Sequence, residues 1–471
     1  MRRLGVVFLL LLDSCAVGPD YHQPKMDLPA QWSEPLAGDA ANQATKHAQW
    51  WTSFNDPTLN SLIERAVESN YDLRIAAARV RQARASLAVV KADLWPSVDA
   101  SGSYTREYGG PNNSASGVLL DNNLFQTGFD AAWEIDVFGG TRRAIQAAGA
   151  DISAAQFGRD DVLVSLLAEV ALNYVEVRAF QQRIVIARDS IKSEEDSLDI
   201  TRAKFKGGVS SELDVTQAAA LEATTRSEIP SLESARQTAI HHLGVLLGQA
   251  PGALLDELSP EGLIPAAPPE VPVGLPSVLL RRRPDVRQAE RQLAAATARI
   301  GVATADLFPK FSLTGAVGLE SISASDWFTA GSRFWSLGPT VQWRIFDAGR
   351  IRANIRVQDA IEEQALETYE KTVLTSMEDV ENALVAYAKE KVRYQALKDA
   401  VDANRRSLQL ANQLYAKGLI DFLNVVDAQR SLYQAQDQFV QSELALSADV
   451  IALYKALGGG WESEPRHEAM K

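Results

Sequence analysis

The chain has 471 residues, more than a usual single domain, and an apolar content of 46 %, enough to build a core. Its net charge of −13 argues against nucleic acid or an anionic lipid surface as the main partner. No apolar run of about 18 residues follows the N-terminus, so there is no transmembrane helix and any membrane span has to be a β-barrel. A single cysteine, Cys15, excludes an internal disulfide, a zinc cluster and a redox pair.

Residues 1–14 read as an export signal: Arg2 and Arg3, the apolar run Leu4 to Leu12, then Asp13 and Ser14. Cys15 directly after the cut, with Leu12 three residues before it, resembles the lipobox of bacterial lipoproteins. That resemblance implies cleavage before Cys15, S-diacylglycerol on its thiol and an acyl chain on the new amino group. Ala16 in place of Asp after the cysteine implies sorting to the outer membrane. Residues 15–56 form an extended arm dotted with Pro19, Pro24, Pro29 and Pro35. Trp50, Trp51 and Phe54 then lead into Asn55-Asp56-Pro57, a helix N-cap with proline just inside.

Residues 57–258 hold a first structural repeat. A helical stretch over 59–91 ends at Trp95-Pro96 and gives way to strands at about 97–108 and 124–138, with a turn-rich loop between them. In the second strand Phe125, Thr127, Phe129, Ala131, Trp133 and Ile135 alternate with Gln126, Gly128, Asp130, Ala132 and Glu134. Successive strand side chains point to opposite faces, so one face is aromatic and the other acidic. Long helices follow at about 140–206 and 212–247, separated by Gly207-Gly208. Leu163, Leu167, Val170, Tyr174 and Val177 step four and three apart, a heptad seam. At 1.5 Å per residue the first helix reaches about 95 Å. Pro230 inside the second is expected to kink or split it.

Residues 259–276 carry six prolines and read as a linker. The order then returns in a second repeat, 277–457. Ala92-Asp93-Leu94-Trp95-Pro96 recurs as Ala305-Asp306-Leu307-Phe308-Pro309, and Trp133, Ile135 and Gly139 recur as Trp343, Ile345 and Gly349. Its strands are expected at about 310–320 and 333–346, and its long helices at about 349–417 and 421–457. Residues 458–471 are expected to be a flexible tail. The fold class is a mixed α+β membrane protein with internal duplication. Four strands cannot close a barrel and an open sheet leaves edges that lipid cannot satisfy, so several copies must share one. Three copies give twelve strands, continued by a coiled-coil tube of long helices.

The stretch from Gly274 to Gly315, with Val17 to Tyr21, the Trp50-Trp51 cluster and Asn424-Val425-Val426-Asp427-Ala428-Gln429-Arg430, resembles the TolC-like outer-membrane efflux lipoproteins over nearly the whole chain. The resemblance implies a homotrimeric channel with a twelve-stranded outer-membrane barrel and a twelve-helix periplasmic tunnel. The implied partners are a periplasmic membrane-fusion adaptor, an inner-membrane pump of the resistance-nodulation-division (RND) type and outer-membrane lipid. It favours the drug-efflux branch over type I protein secretion, which stays the alternative; a lipid-anchored coiled-coil scaffold without a pore leaves the strands unexplained. By the same resemblance Asn424 and Asp427 match the acidic ring at the periplasmic aperture, and with Ser431 they share one helical face. The turns holding Gly207, Gly208 and Val209, and Gly418 and Leu419, match the tips that meet the adaptor; Gly208 and Gly418 also suit the left-handed end of a helix. The five histidines have no metal-ligand spacing, and no phosphate loop or nucleophile elbow is present. No enzyme activity and no cofactor are expected, so energy for transport has to come from a partner.

Overall fold

The computed structural model describes residues 16–33, 48–109, 120–268, 271 and 282–463. Residues 1–14 and Cys15 lie outside the described residues, as do parts of the arm, of the loop after the first strand, of the linker and of the tail. The chain divides into two compact units. One holds residues up to Lys25, Arg79–Gln156 and Gln288–Glu370; the other holds Met26–Ala78, Phe157–Arg287 and Lys371–Lys471. Each repeat contributes to both.

A 3₁₀ turn, Trp50–Phe54, precedes α1 (Pro57–Ser69). Asp56 Oδ1 caps α1, accepting from the Thr58 and Leu59 N–H groups at 2.8 and 3.0 Å. The expected helix over 59–91 is broken at Asn70, and α2 runs Tyr71–Ala92. Asn70 is buried; its amide donates to the Leu246 carbonyl (2.9 Å) while its oxygen accepts from the Leu73 N–H (3.0 Å). It thus ends one helix and caps the next.

The sheet is antiparallel, in the order β1-β2-β3-β4, from β1 (Ser97–Gly109), β2 (Leu120–Ile135), β3 (Lys310–Ser321) and β4 (Arg333–Gln342). Directly paired residues share a face. Tyr104 faces Phe125, Phe129 faces Val317 and Val317 faces Trp335. On the other side Asp99 faces Asp130, Asp130 faces Ala316 and Ala316 faces Ser336. The pairing therefore assembles one apolar and one polar face from all four strands.

Two strands stop earlier than expected. β2 ends at Ile135 rather than 138, and β4 ends at Gln342 rather than 346. Their neighbours begin just after Pro96 and Pro309, so the last pairs are Ser97 with Ala132, Phe311 with Ile135 and Lys310 with Gln342. β2 instead begins earlier, at Leu120, because Arg106, Glu107 and Tyr108 continue to pair with Asn123, Asn122 and Asp121. Cross-strand pairing there overrides the turn preference of Asp and Asn.

The long helices are α3 (Gly140–Lys206), α4 (Glu212–Leu246), α7 (Arg350–Ala416) and α8 (Phe422–Ala456). A short α5 (Leu255–Leu258) and α6 (Pro284–Ala305) lie between the two pairs in the chain. α4 is continuous through Pro230, so the expected split is absent. In the second unit Trp50, Leu59, Leu62, Leu163, Leu167, Tyr174, Ile240, Leu243, Val380 and Tyr454 form the largest core. The start of the expected flexible tail belongs to it. Gly458 and Gly460 take positive φ, and Trp461 Nε1 donates to the Arg282 carbonyl at 3.1 Å. A packed indole with its N–H satisfied is incompatible with a free tail over 458–463.

Candidate functional site

The α3–α4 and α7–α8 turns have the same construction. The Gly208 N–H bonds the Phe205 carbonyl (2.9 Å) and the Val209 N–H the Lys204 carbonyl (3.0 Å). In the second repeat Gly418 bonds Tyr415 (3.0 Å) and Leu419 bonds Leu414 (3.0 Å). Gly208 and Gly418 take φ of +72° and +71° with open space where a Cβ would stand. This is a Schellman ending, which explains both glycines by backbone conformation alone. Ser211 then caps α4 in a reciprocal box with Asp214. The Ser210 hydroxyl beside it, bonded at 2.7 Å, holds the Asp214 carboxyl below its usual range.

What the backbone does not explain is the apolar surface at these turns. Val209 and Leu213 are exposed, and so are Leu419 and Leu423 at the same places in the second turn. Behind them Leu198, Ala218, Ala411, Phe422, Val425 and Val426 form a separate core. Lys204 Nζ lies 3.5 Å from the Tyr415 ring centre and joins one turn to the other.

At the start of α8, Val425, Val426 and Gln429 are buried, whereas Asn424 is exposed and Asp427 and Ser431 are partly so. Asn424 and Asp427, the two expected aperture residues, therefore share the uncovered side of the helix with Ser431. Asn424 bonds the Asp421 carbonyl at 3.2 Å. Asp427 is not a bare carboxylate: Arg430 Nη2 donates to it at 2.7 Å. Arg430 belongs to the sequence signature without a role assigned to it there; its i,i+3 spacing from Asp427 is the signal.

Deeper in the same helices Gln429 donates to Ser197 Oγ (2.9 Å) and the Ser193 carbonyl (3.1 Å) of α3. Arg183 pairs with Asp437 at 2.6 Å, and the Tyr433 hydroxyl donates to Glu228 at 2.6 Å. Next to Ser193, Glu194 is 1 % exposed; one oxygen accepts from Thr225 at 3.1 Å, and the Ser190 hydroxyl also faces the carboxyl. Burial, with Glu222 nearby, pushes its carboxyl up to about 7. Glu194 does not stand out in the sequence, where it sits in the charge-rich helical stretch 189–199.

In the first unit the arm is held by its backbone. The Val17 N–H donates to the Phe138 carbonyl at 3.1 Å. Arg143, 5 % exposed, donates to the Val17 and Gly18 carbonyls (3.0 and 3.1 Å) and pairs with Asp20 at 2.8 Å. Gly18, at φ +90°, rests directly on Gly301. The Tyr21 hydroxyl reaches Glu290 at 2.6 Å. In the second unit Arg283 of the signature stretch donates to the Ala456 carbonyl (3.0 Å) and to Asp285 and Asp379 (2.7 and 2.9 Å), so that motif ties helices together. Among the described residues no cluster of His, Cys, Asp and Glu could hold a metal, and no helix is long and apolar enough to cross a membrane.

The family described as outer membrane efflux protein matches residues 62–249 and 275–459. Nodulation protein T of Rhizobium leguminosarum bv. trifolii is 33 % identical over 457 residues, covering 96 % of each chain. The pyoverdine export outer membrane protein OpmQ of Pseudomonas aeruginosa is 34 % identical, covering 100 % of this chain and 99 % of its own. Among solved structures the outer-membrane channel OprN superposes with a TM-score of 0.90 at 37 % identity, covering 95 % of this chain and 100 % of that one.

Proposed function

Because the chain belongs to the outer membrane efflux protein family, we propose that it works as one third of a passive conduit for small toxic compounds. The protein is an efflux channel of the outer membrane. The observation that carries the reading is the sheet: among the described residues, four antiparallel strands, apolar on one face and polar on the other, with β1 and β4 each paired on one side only. In hydrocarbon an open edge leaves backbone N–H and C=O groups unsatisfied. β1 and β4 run antiparallel, so β4 of one copy can add to β1 of the next. Pro339 suits an edge strand, where one missing N–H is tolerated. Three copies make twelve strands, with Asp99 and Asp130 lining the lumen and the apolar face turned to lipid.

The long helices of three copies continue the conduit as a periplasmic tunnel. The turns at Gly207, Gly208 and Val209 and at Gly418 and Leu419 meet a membrane-fusion adaptor; the exposed Val209, Leu213, Leu419 and Leu423 supply apolar contact. Asn424 and Asp427 face the aperture. Cys15 carries the S-diacylglycerol and N-acyl chains. No reaction is assigned to the chain, so an inner-membrane RND pump supplies the work and the choice of compound.

Native mass spectrometry of the protein extracted from outer membranes tests this directly. A trimer starting at Cys15 with acyl mass is expected, together with drug hypersensitivity on deletion of the gene. A monomer stable across mild detergents would sink the shared barrel, and unchanged drug sensitivity with loss of a secreted protein would move the chain to protein export.

A further inference from the structure

The loop between β3 and β4 is folded against the apolar face of the sheet, away from the polar one. Its Trp327 ring lies 5.4 Å from Phe125, and Phe125 lies 4.9 Å from Tyr104 on β1. The Phe328 ring lies tilted against Trp327 with centres 4.7 Å apart and is 73 % exposed. The loop is internally tied: Thr329 and Ser332 hydroxyls both donate to the Asp326 carbonyl, at 2.7 and 2.6 Å. An ordered aromatic bank thus extends the apolar face at the sheet end remote from the helices.

Two arginines stand on this same face. Arg333, exposed, opens β4 opposite Leu319 and follows directly after the loop. Arg106, exposed, is two residues beyond Tyr104 and therefore on Tyr104's side of the sheet. Cations are expensive on a surface bathed in hydrocarbon and are tolerated near its boundary. Reading along β1 from the helix side, the face runs Val98, Ala100, Gly102, Tyr104, Arg106, Tyr108, small and aliphatic first and then aromatic and cationic together. That order is the order of a membrane lipid: acyl chain first, then the interface with its charged headgroup. The net negative charge of the chain does not oppose it, since attraction to a phosphate is local. The face also stays uncovered when β1 and β4 pair with neighbouring copies, because strand pairing occupies edges.

We propose that the Tyr104, Phe125, Trp327 and Phe328 bank, with Arg106 and Arg333, is a docking surface for the diphosphorylated glycolipid of the outer leaflet. Acyl chains lie along the rings and each phosphate meets a guanidinium. The proposal rests on the reading of the sheet as membrane-spanning.

The test is a titration of the purified trimer with diphosphoryl lipid A, monophosphoryl lipid A and phosphatidylglycerol, followed by native mass spectrometry. Diphosphoryl lipid A is expected to bind most tightly. Arg333→Gln and Arg106→Gln each weaken it about fivefold, as one basic group at a membrane surface does, while Arg333→Lys keeps most of the binding. Trimers of each variant that migrate as the parent does on unheated gels show that the barrel is intact. Equal binding of phosphatidylglycerol, or unaltered binding by the double Gln variant, overturns the proposal. A protein that forms no conducting pore in planar bilayers overturns the underlying reading; a pore without lipid preference overturns the docking surface alone.

Discussion

Trp133 Nε1 donates to the Leu94 carbonyl at 2.9 Å, closing the corner where α2 gives way to β1. Trp343 makes the same bond to Leu307 at 3.0 Å, where α6 gives way to β3. Each indole sits near the end of a strand and satisfies a carbonyl in the turn that follows a helix. Trp133→Phe keeps the aromatic bulk and orphans the carbonyl, at about 1 kcal/mol. The melting temperature of the trimer on semi-native gels should fall, Trp343→Phe should lower it similarly, and the double variant should add the two. No change in either single variant would show that the carbonyls find water instead.

The arm depends on a contact between two backbones. A Cβ on Gly301 would stand 2.9 Å from the Val17 carbonyl oxygen and 2.8 Å from Arg143 Cγ. Neither can yield without breaking the bonds that Arg143 makes to the arm. Gly301→Ala should therefore release residues 16–21, and limited proteolysis of the folded trimer should cut there roughly tenfold faster, since cleavage follows local opening. An unaltered rate of cleavage would mean that Tyr21 and its bond to Glu290 suffice.

Asp427 and Arg430 make opposite predictions for the aperture. They are a half-exposed pair, worth little to stability because water screens it. Their effect on ions passing close by is larger. Asp427→Ala leaves Arg430 unbalanced and should lower cation preference, read as the reversal potential across a salt gradient. Arg430→Ala should raise it. If both substitutions shift the potential in the same direction, the aperture lies elsewhere on α8.

The sheet was legible because alternation is a local property: Phe125 to Ile135 declares its two faces without reference to any partner. The duplication was legible for a similar reason, since Trp133 and Trp343 keep their spacing from Gly139 and Gly349. Strand ends were less so. Asp136 reads as one more polar strand position, yet it caps α3 by accepting from the Thr141 and Arg142 N–H groups at 3.1 and 2.9 Å. That role emerges only because Pro96 and Pro309, distant in sequence, stop the neighbouring ladders. Gly458 to Trp461 reads as part of the flexible tail, whereas the packing of Trp461 depends on Arg282, 179 residues away. At the tips the glycines announced the turns and the i,i+3 spacing announced the Asp427–Arg430 pair, but the burial of Glu194 needed the pairing of two helices.

Glu194 gives the pH prediction. Its folded carboxyl titrates at about 7, against an ordinary 4.5, because it is buried and Glu222 stands near. From α4 the charged groups on that side are Glu222 and Arg226; Arg226 is engaged by Glu222 and by Glu195. The folded state therefore holds more protons than the unfolded chain between about pH 4.5 and 7. Stability falls as pH rises through that window, and the loss is complete above it. A shift from 4.5 to about 7 corresponds to about 3 kcal/mol per chain, an upper figure because the helices relax. Glu194→Gln keeps the bond from Thr225 and carries no charge. It should match the parent at about pH 4.5 and exceed it at about pH 8, measured as guanidinium unfolding of the detergent-held trimer. Hydrogen exchange localises the effect: above about pH 7 the parent should open faster than the variant over residues 190–198 and 218–226, after correction for the intrinsic rate. A stability difference that is the same at both pH values would show that Glu194 stays charged in the folded helix pair.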